Sequence, residues 1–148
     1  LVRFAPHLDA DEAMLAGLIH PIGKLPILTL VERIPEFRDS PSRLDKLLDK
    51  AHPHVGKIIM DAWKFPDELK QVAYEYVDFQ RDHAGPADYV DLVQVAFLQS
   101  IAGTDHPATR VDCSLVPAFA KLGLQSNTEV MEIEGISEDI EMAQSLFL

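Results

Sequence analysis

Apolar residues recur at helical spacing in three separate stretches of the chain. Leu44, Leu47, Leu48, Ala51, Val55, Ile58, Ile59 and Ala62 follow the i, i+3, i+4, i+7 rule, while Asp45, Lys46, Asp49, Lys50 and Lys57 fall between them. The pattern predicts a long central amphipathic helix from Pro41 to Trp63, with Ser40 as N-cap and Pro41 in its first turn. Pro66, Asp67 and Glu68 open a second helix, which should bury Leu69, Val72, Ala73 and Tyr76. A third begins near Pro86 and Ala87. Its residues Tyr89, Leu92, Val93, Val95, Ala96, Leu98, Ile101 and Ala102 are apolar almost all round, the mark of a helix at the centre of a fold.

The remaining segments are shorter. Asp9 or Asp11 can cap a helix carrying Ala13, Met14, Leu15, Leu18 and Ile19; Pro21 and Gly23 interrupt it before a segment from Leu25 to Ile34. Pro117 to Leu122 reads as a short helix stopped by Gly123, and Ser126 to Phe147 as a final amphipathic helix weakened at Gly135. Pro35 to Pro41, Asp82 to Asp88 and Gly103 to Pro107 are expected loops. No run alternates with a period of two and no Asn-Gly or Asp-Gly turn is present, so the fold class is all-α.

Composition narrows the function. At 148 residues and 47% hydrophobic content the chain can build one real core, which excludes intrinsic disorder. A formal charge of −11 repels phosphate backbones, so nucleic acid is not an expected partner. The single Cys113 forms no internal disulfide and suits a reducing cytoplasm. No uninterrupted apolar run reaches the roughly 18 to 20 residues of a membrane helix, and no signal-peptide pattern opens the chain. It begins at Leu1 rather than at Met, which suggests a trimmed domain or a fragment.

Six histidines in a helical chain prompt a search for a metal site. His20 sits in Leu18-Ile19-His20-Pro21-Ile22-Gly23-Lys24, and His52 in His52-Pro53-His54-Val55-Gly56. The first segment resembles the "L-x-H-D-I-G-K" signature of HD-domain phosphohydrolases, and the second is similar to a later "H-P-x-[IV]-G" segment of those proteins. Trp63 to Leu69 resembles the "W-x-[LF]-P-x-x-[IL]" that follows it in HDOD and HD-GYP proteins, and Leu122-Gly123-Leu124 the "LGL" before the last HDOD helix. Order and spacing together identify the chain as similar to the HDOD (HD-related output domain) family, over about Ala10 to Ala102 and the tail.

That resemblance implies an HD-domain-like orthogonal helical bundle, with residues 1–148 as one domain fragment lacking the family's N-terminal helical half. It also implies a degenerate metal site. Pro21 stands where the metal-binding Asp would be, Tyr74 to Asp78 lacks the histidine pair of metal-binding members, and Phe97 takes the position of a further Asp. No catalytic residue, metal ligand or cofactor is therefore expected. His20, Lys24 and His52 are candidates for a vestigial pocket, against the plainer reading that the histidines are hydrogen-bonded packing residues and Lys24 a solvated one. On a regular helix His52 and His54 lie about 160° apart and cannot easily share an ion.

His54 should be a surface residue, and His7, His83 and His106 lie in expected loops. Trp63 and Tyr76 fall on helix faces expected to be buried. The implied function is a non-enzymatic bacterial signal-transduction module that docks a protein partner or an adjacent signalling domain, without nucleic acid or membrane, and that self-associates where the missing half leaves apolar surface bare. The alternative is a divergent HD-type metal-dependent phosphohydrolase acting on nucleotides or cyclic dinucleotides.

Overall fold

The structure, a computed structural model, describes residues 1–125, and the expected final helix over Ser126 to Phe147 lies outside them. Seven α-helices make up the described chain: α1 (Ala10–Ile19), α2 (Lys24–Val31), α3 (Pro35–Arg38), α4 (Pro41–Ala62), α5 (Asp67–Glu75), α6 (Tyr89–Ser100) and α7 (Pro117–Lys121). Three short 3-10 turns complete it, and no strand occurs among the described residues. The all-α expectation holds, and α4, at 22 residues, is the longest helix among the described residues.

α6 is the central element. Its residues Tyr89 to Val95 are buried without interruption, and α1, α5 and α7 pack around it. The helix starts at Tyr89 rather than near Pro86, because Asp88 forms a reciprocal capping box with Asp91. α4 packs against α5 on one side and against α2 and α3 on another. Pro35 to Pro41 is not all loop: with its φ already fixed, Pro35 opens the single turn of α3. Two residues after α4 ends at Ala62, Lys64 turns the chain with a left-handed φ of 56°.

Two expectations about burial need correction. The fully buried positions of α4 are His52, Pro53, Gly56 and Met60, whereas the apolar stripe is only half-buried, and Ile58 on it is 67% exposed. Trp63 is 63% exposed, since the helix ends just before it and the chain turns toward α5, whereas Tyr76 is buried as expected.

The reason for the α4 choice is close approach. A Cβ built on Gly23 would lie 2.0 Å from the His52 carbonyl oxygen and 2.6 Å from the Gly56 nitrogen, so the corner between α1 and α2 rests on the backbone of α4. Only small residues permit that seam. Taken through this corner, Ala10–Val31 spans 22 residues of mean hydropathy 1.6, enough by length and composition to cross a membrane. Here the two halves are separate helices, α1 on α5 and α6, α2 on α4.

The N-terminal segment is clasped to the start of α6. His7 Nε2 donates to the Ala87 carbonyl at 2.7 Å, the Tyr89 hydroxyl donates to Glu12, and the same oxygen accepts the Asp9 N–H at 3.2 Å.

Candidate functional site

Between α2, α4, α5, α6 and the segment after α6 lies an open cleft of about 160 Å³. Lys24, Asp49, His52, Tyr76, Phe97 and His106 line it, with apolar wall from Phe79 and Pro107. Helical spacing on α4 brings Asp49 and His52 to one side, and the α1–α2 corner sets Lys24 beside them.

His52 is held at both ring nitrogens. Nδ1 faces the Leu48 carbonyl at 2.6 Å and must donate, so Nε2 accepts from the Tyr76 hydroxyl at 2.7 Å. That pattern is the neutral imidazole. Burial pushes its pKa below the usual value, as does the Lys24 charge, against the opposing Leu48 hydrogen bond and Asp49. Tyr76 is pushed up to about 12 by burial, with Asp49 adding to it. His20 donates from Nδ1 to the Gly17 carbonyl, and burial lowers its pKa also.

Aromatic rings fill the place where the family resemblance would put metal ligands. The Phe97 ring meets Tyr76, His20 and His106 edge-on, with centroids 5.6, 6.2 and 5.4 Å away, and stacks at 10° on Phe79. His20 also meets the Tyr76 ring at 4.7 Å. Lys24 and His52 of the expected trio therefore face the cleft, while His20 stands behind it against Tyr76 and Phe97.

Asp49, Phe79 and His106 were not singled out from the sequence as pocket residues. His106 comes from the loop after α6, and its Nδ1 accepts the Ala108 N–H at 3.1 Å. No local motif marks it; only the fold brings it to Phe97. His54 is exposed, as expected.

A second cluster holds His83, Asp88 and Asp91, whose ligand atoms lie within 4.8 Å of one another. It is already occupied by the chain's own cation. Arg81 reaches Glu75 and Asp88 at 2.6 Å each and Asp91 at 3.5 Å, and His83 Nε2 lies 2.8 Å from Asp91. Burial works to raise the Asp88 pKa, but the Arg81 hydrogen bond and the Asp91 N–H bring it below the usual range. Lys121 of α7 closes the network from outside by donating to the His83 and Gly85 carbonyls.

An all-helical fold with this motif order defines the chain as HD-like. The HDOD domain model matches residues 1–78, more than half of the chain, and the chain belongs to the HDOD family. Among solved structures it is similar to a protein from Shewanella amazonensis SB2B provisionally named as a metal-dependent phosphohydrolase. The two share 26% identity with a TM-score of 0.69, over 86% of this chain. The chain spans 44% of the length of that relative. No curated protein matches the chain significantly.

Proposed function

We propose that this chain is a non-enzymatic output module of bacterial signal transduction, working in the cytoplasm by docking a protein partner or a neighbouring regulatory domain. The observation that carries this reading is the ring of Phe97 packed among His20, Tyr76 and His106 where ligands would have to converge. Pro21 beside His20 offers no ligand atom, and Tyr74 to Asp78 contains no histidine. A divalent ion held there would lack the charge and donors needed to compete with water, and no bound hydroxide would form near neutral pH. Exposed Met14, Leu18, Leu25 and Leu30 on α1 and α2 support a docking role.

The second reading is a divergent metal-dependent phosphohydrolase acting on nucleotides or cyclic dinucleotides, favoured by the name of the Shewanella relative. The deciding assay incubates the protein with manganese or ferrous iron and a panel of nucleotides, cyclic dinucleotides and a generic phosphodiester. The first reading expects no turnover, and none from Pro21→Asp alone. Turnover abolished by a chelator and by His20→Ala or His52→Ala would establish the second.

A further inference from the structure

The cleft has charges that the fold leaves unused. The Lys24 ammonium makes no ion pair or hydrogen bond among the described residues, although the chain pairs Lys57, Lys70, Arg81 and Lys121 with its many carboxylates. It lines the same cleft as Asp49 without pairing with it. A cation beside the neutral His52 imidazole and aromatic walls, in an acidic protein, is a site waiting for one negative charge.

The other polar groups refine the chemistry. His106 Nδ1 already accepts the Ala108 N–H, so its neutral ring carries the proton on Nε2 and can donate. The Tyr76 hydrogen is committed to His52. Phe97, Phe79 and Pro107 give apolar and ring surface. Set against one cation, Asp49 disfavours a dianion such as inorganic phosphate. At about 160 Å³ the cleft is smaller than the several hundred Å³ typical of drug-sized or nucleotide ligands, and suits a single ring.

We propose that this cleft binds a small aromatic monoanion, its carboxylate at Lys24 and its ring against Phe97 and Phe79. Lys24 of the site neighbours Leu25 of the exposed face on α2, and occupation of the cleft would regulate the module rather than feed a reaction.

The test is an NMR titration of the whole chain with benzoate, observing the histidine and aromatic side-chain signals, with benzyl alcohol, acetate and inorganic phosphate as comparison probes. Benzoate should shift His106, His52 and Phe97 with a millimolar Kd, as expected for so few atoms, and each comparison probe should bind at least about ten-fold more weakly. Lys24→Met should weaken benzoate about ten-fold and leave benzyl alcohol unchanged. No shift at the cleft, equal binding of benzoate and benzyl alcohol, or indifference to Lys24→Met would each overturn the proposal. If Lys24→Met does not fold by circular dichroism, the ranking of the four probes on the unaltered chain decides alone. None of these outcomes depends on whether the chain hydrolyses a phosphodiester.

Discussion

Gly23→Ala is the substitution to which this fold should be most sensitive. The added methyl would lie 2.0 Å from the His52 oxygen and 2.6 Å from the Gly56 nitrogen, both backbone atoms of a 22-residue helix that cannot step aside. Ordinary contact begins near 3.4 Å, so the α1–α2 corner must lift by about 1.4 Å. A gap of that size forfeits half or more of the dispersion energy across the seam, where Ile27 and Val31 of α2 are buried. Overpacking costs about 1–3 kcal/mol. Partial exposure of Ile27 and Val31 adds about 1–2 kcal/mol, giving a loss of about 2–5 kcal/mol.

Two other glycines calibrate the result. At Gly56 the new methyl would meet the Ala73 Cβ at 3.3 Å, a small conflict costing about 1 kcal/mol. Gly17 has nothing within 4 Å and lies inside α1, so Gly17→Ala should stabilise by up to about 1 kcal/mol. Urea unfolding followed by far-UV circular dichroism measures all three. The fluorescence of the single Trp63 is a poor reporter, because that side chain is already 63% exposed. A Gly23→Ala loss below about 1 kcal/mol, no larger than that of Gly56→Ala, would refute the seam.

Two further outcomes follow from buried polar groups. His20 and His52 have depressed pKa values when folded, so the unfolded chain takes up protons first; their contribution to stability is present above about pH 6.5 and is lost as pH falls below it. Urea midpoints at pH 7.5 and 5.5 should differ, and His52→Gln should reduce the difference; a pH-independent midpoint would contradict the neutral imidazole. Arg81→Met leaves Asp91, which is 0% exposed, together with Asp88 and Glu75, without their shared cation and should cost about 3 kcal/mol, with Arg81→Lys recovering only part because it cannot fork between carboxylates.

The helices with strong periodicity were legible in the sequence, and those governed by close approach were not. Positions 41–62, 67–75 and 89–100 announce themselves by apolar spacing and capping residues. The buried side of α4 is carried by His52, Gly56 and Met60, and a reading based on hydrophobicity gives a glycine and a histidine no weight. What selects that side is the bare backbone offered to Gly23 some thirty positions earlier. The site was half legible for a similar reason. Lys24 and His52 stand in recognisable motifs, whereas Asp49, three residues before His52 on α4, carries no motif and His106 joins them only through tertiary packing. Phe97 could be read as an absent ligand; that its ring would organise the cleft could not.

The clasp between the N-terminal segment and α6 has a cost during biosynthesis. Ala16 and Ile19 are buried on α1, which packs against α5 and α6, and the bond from His7 to Ala87 spans 80 residues. At about 5–20 residues per second, a ribosome needs about 4–16 s to make that intervening chain. For that interval the apolar stretch Ala10–Val31 waits without the wall that α6 provides. The yield of the protein in cells should therefore depend on translation speed and chaperone supply as well as on the stability of the finished bundle.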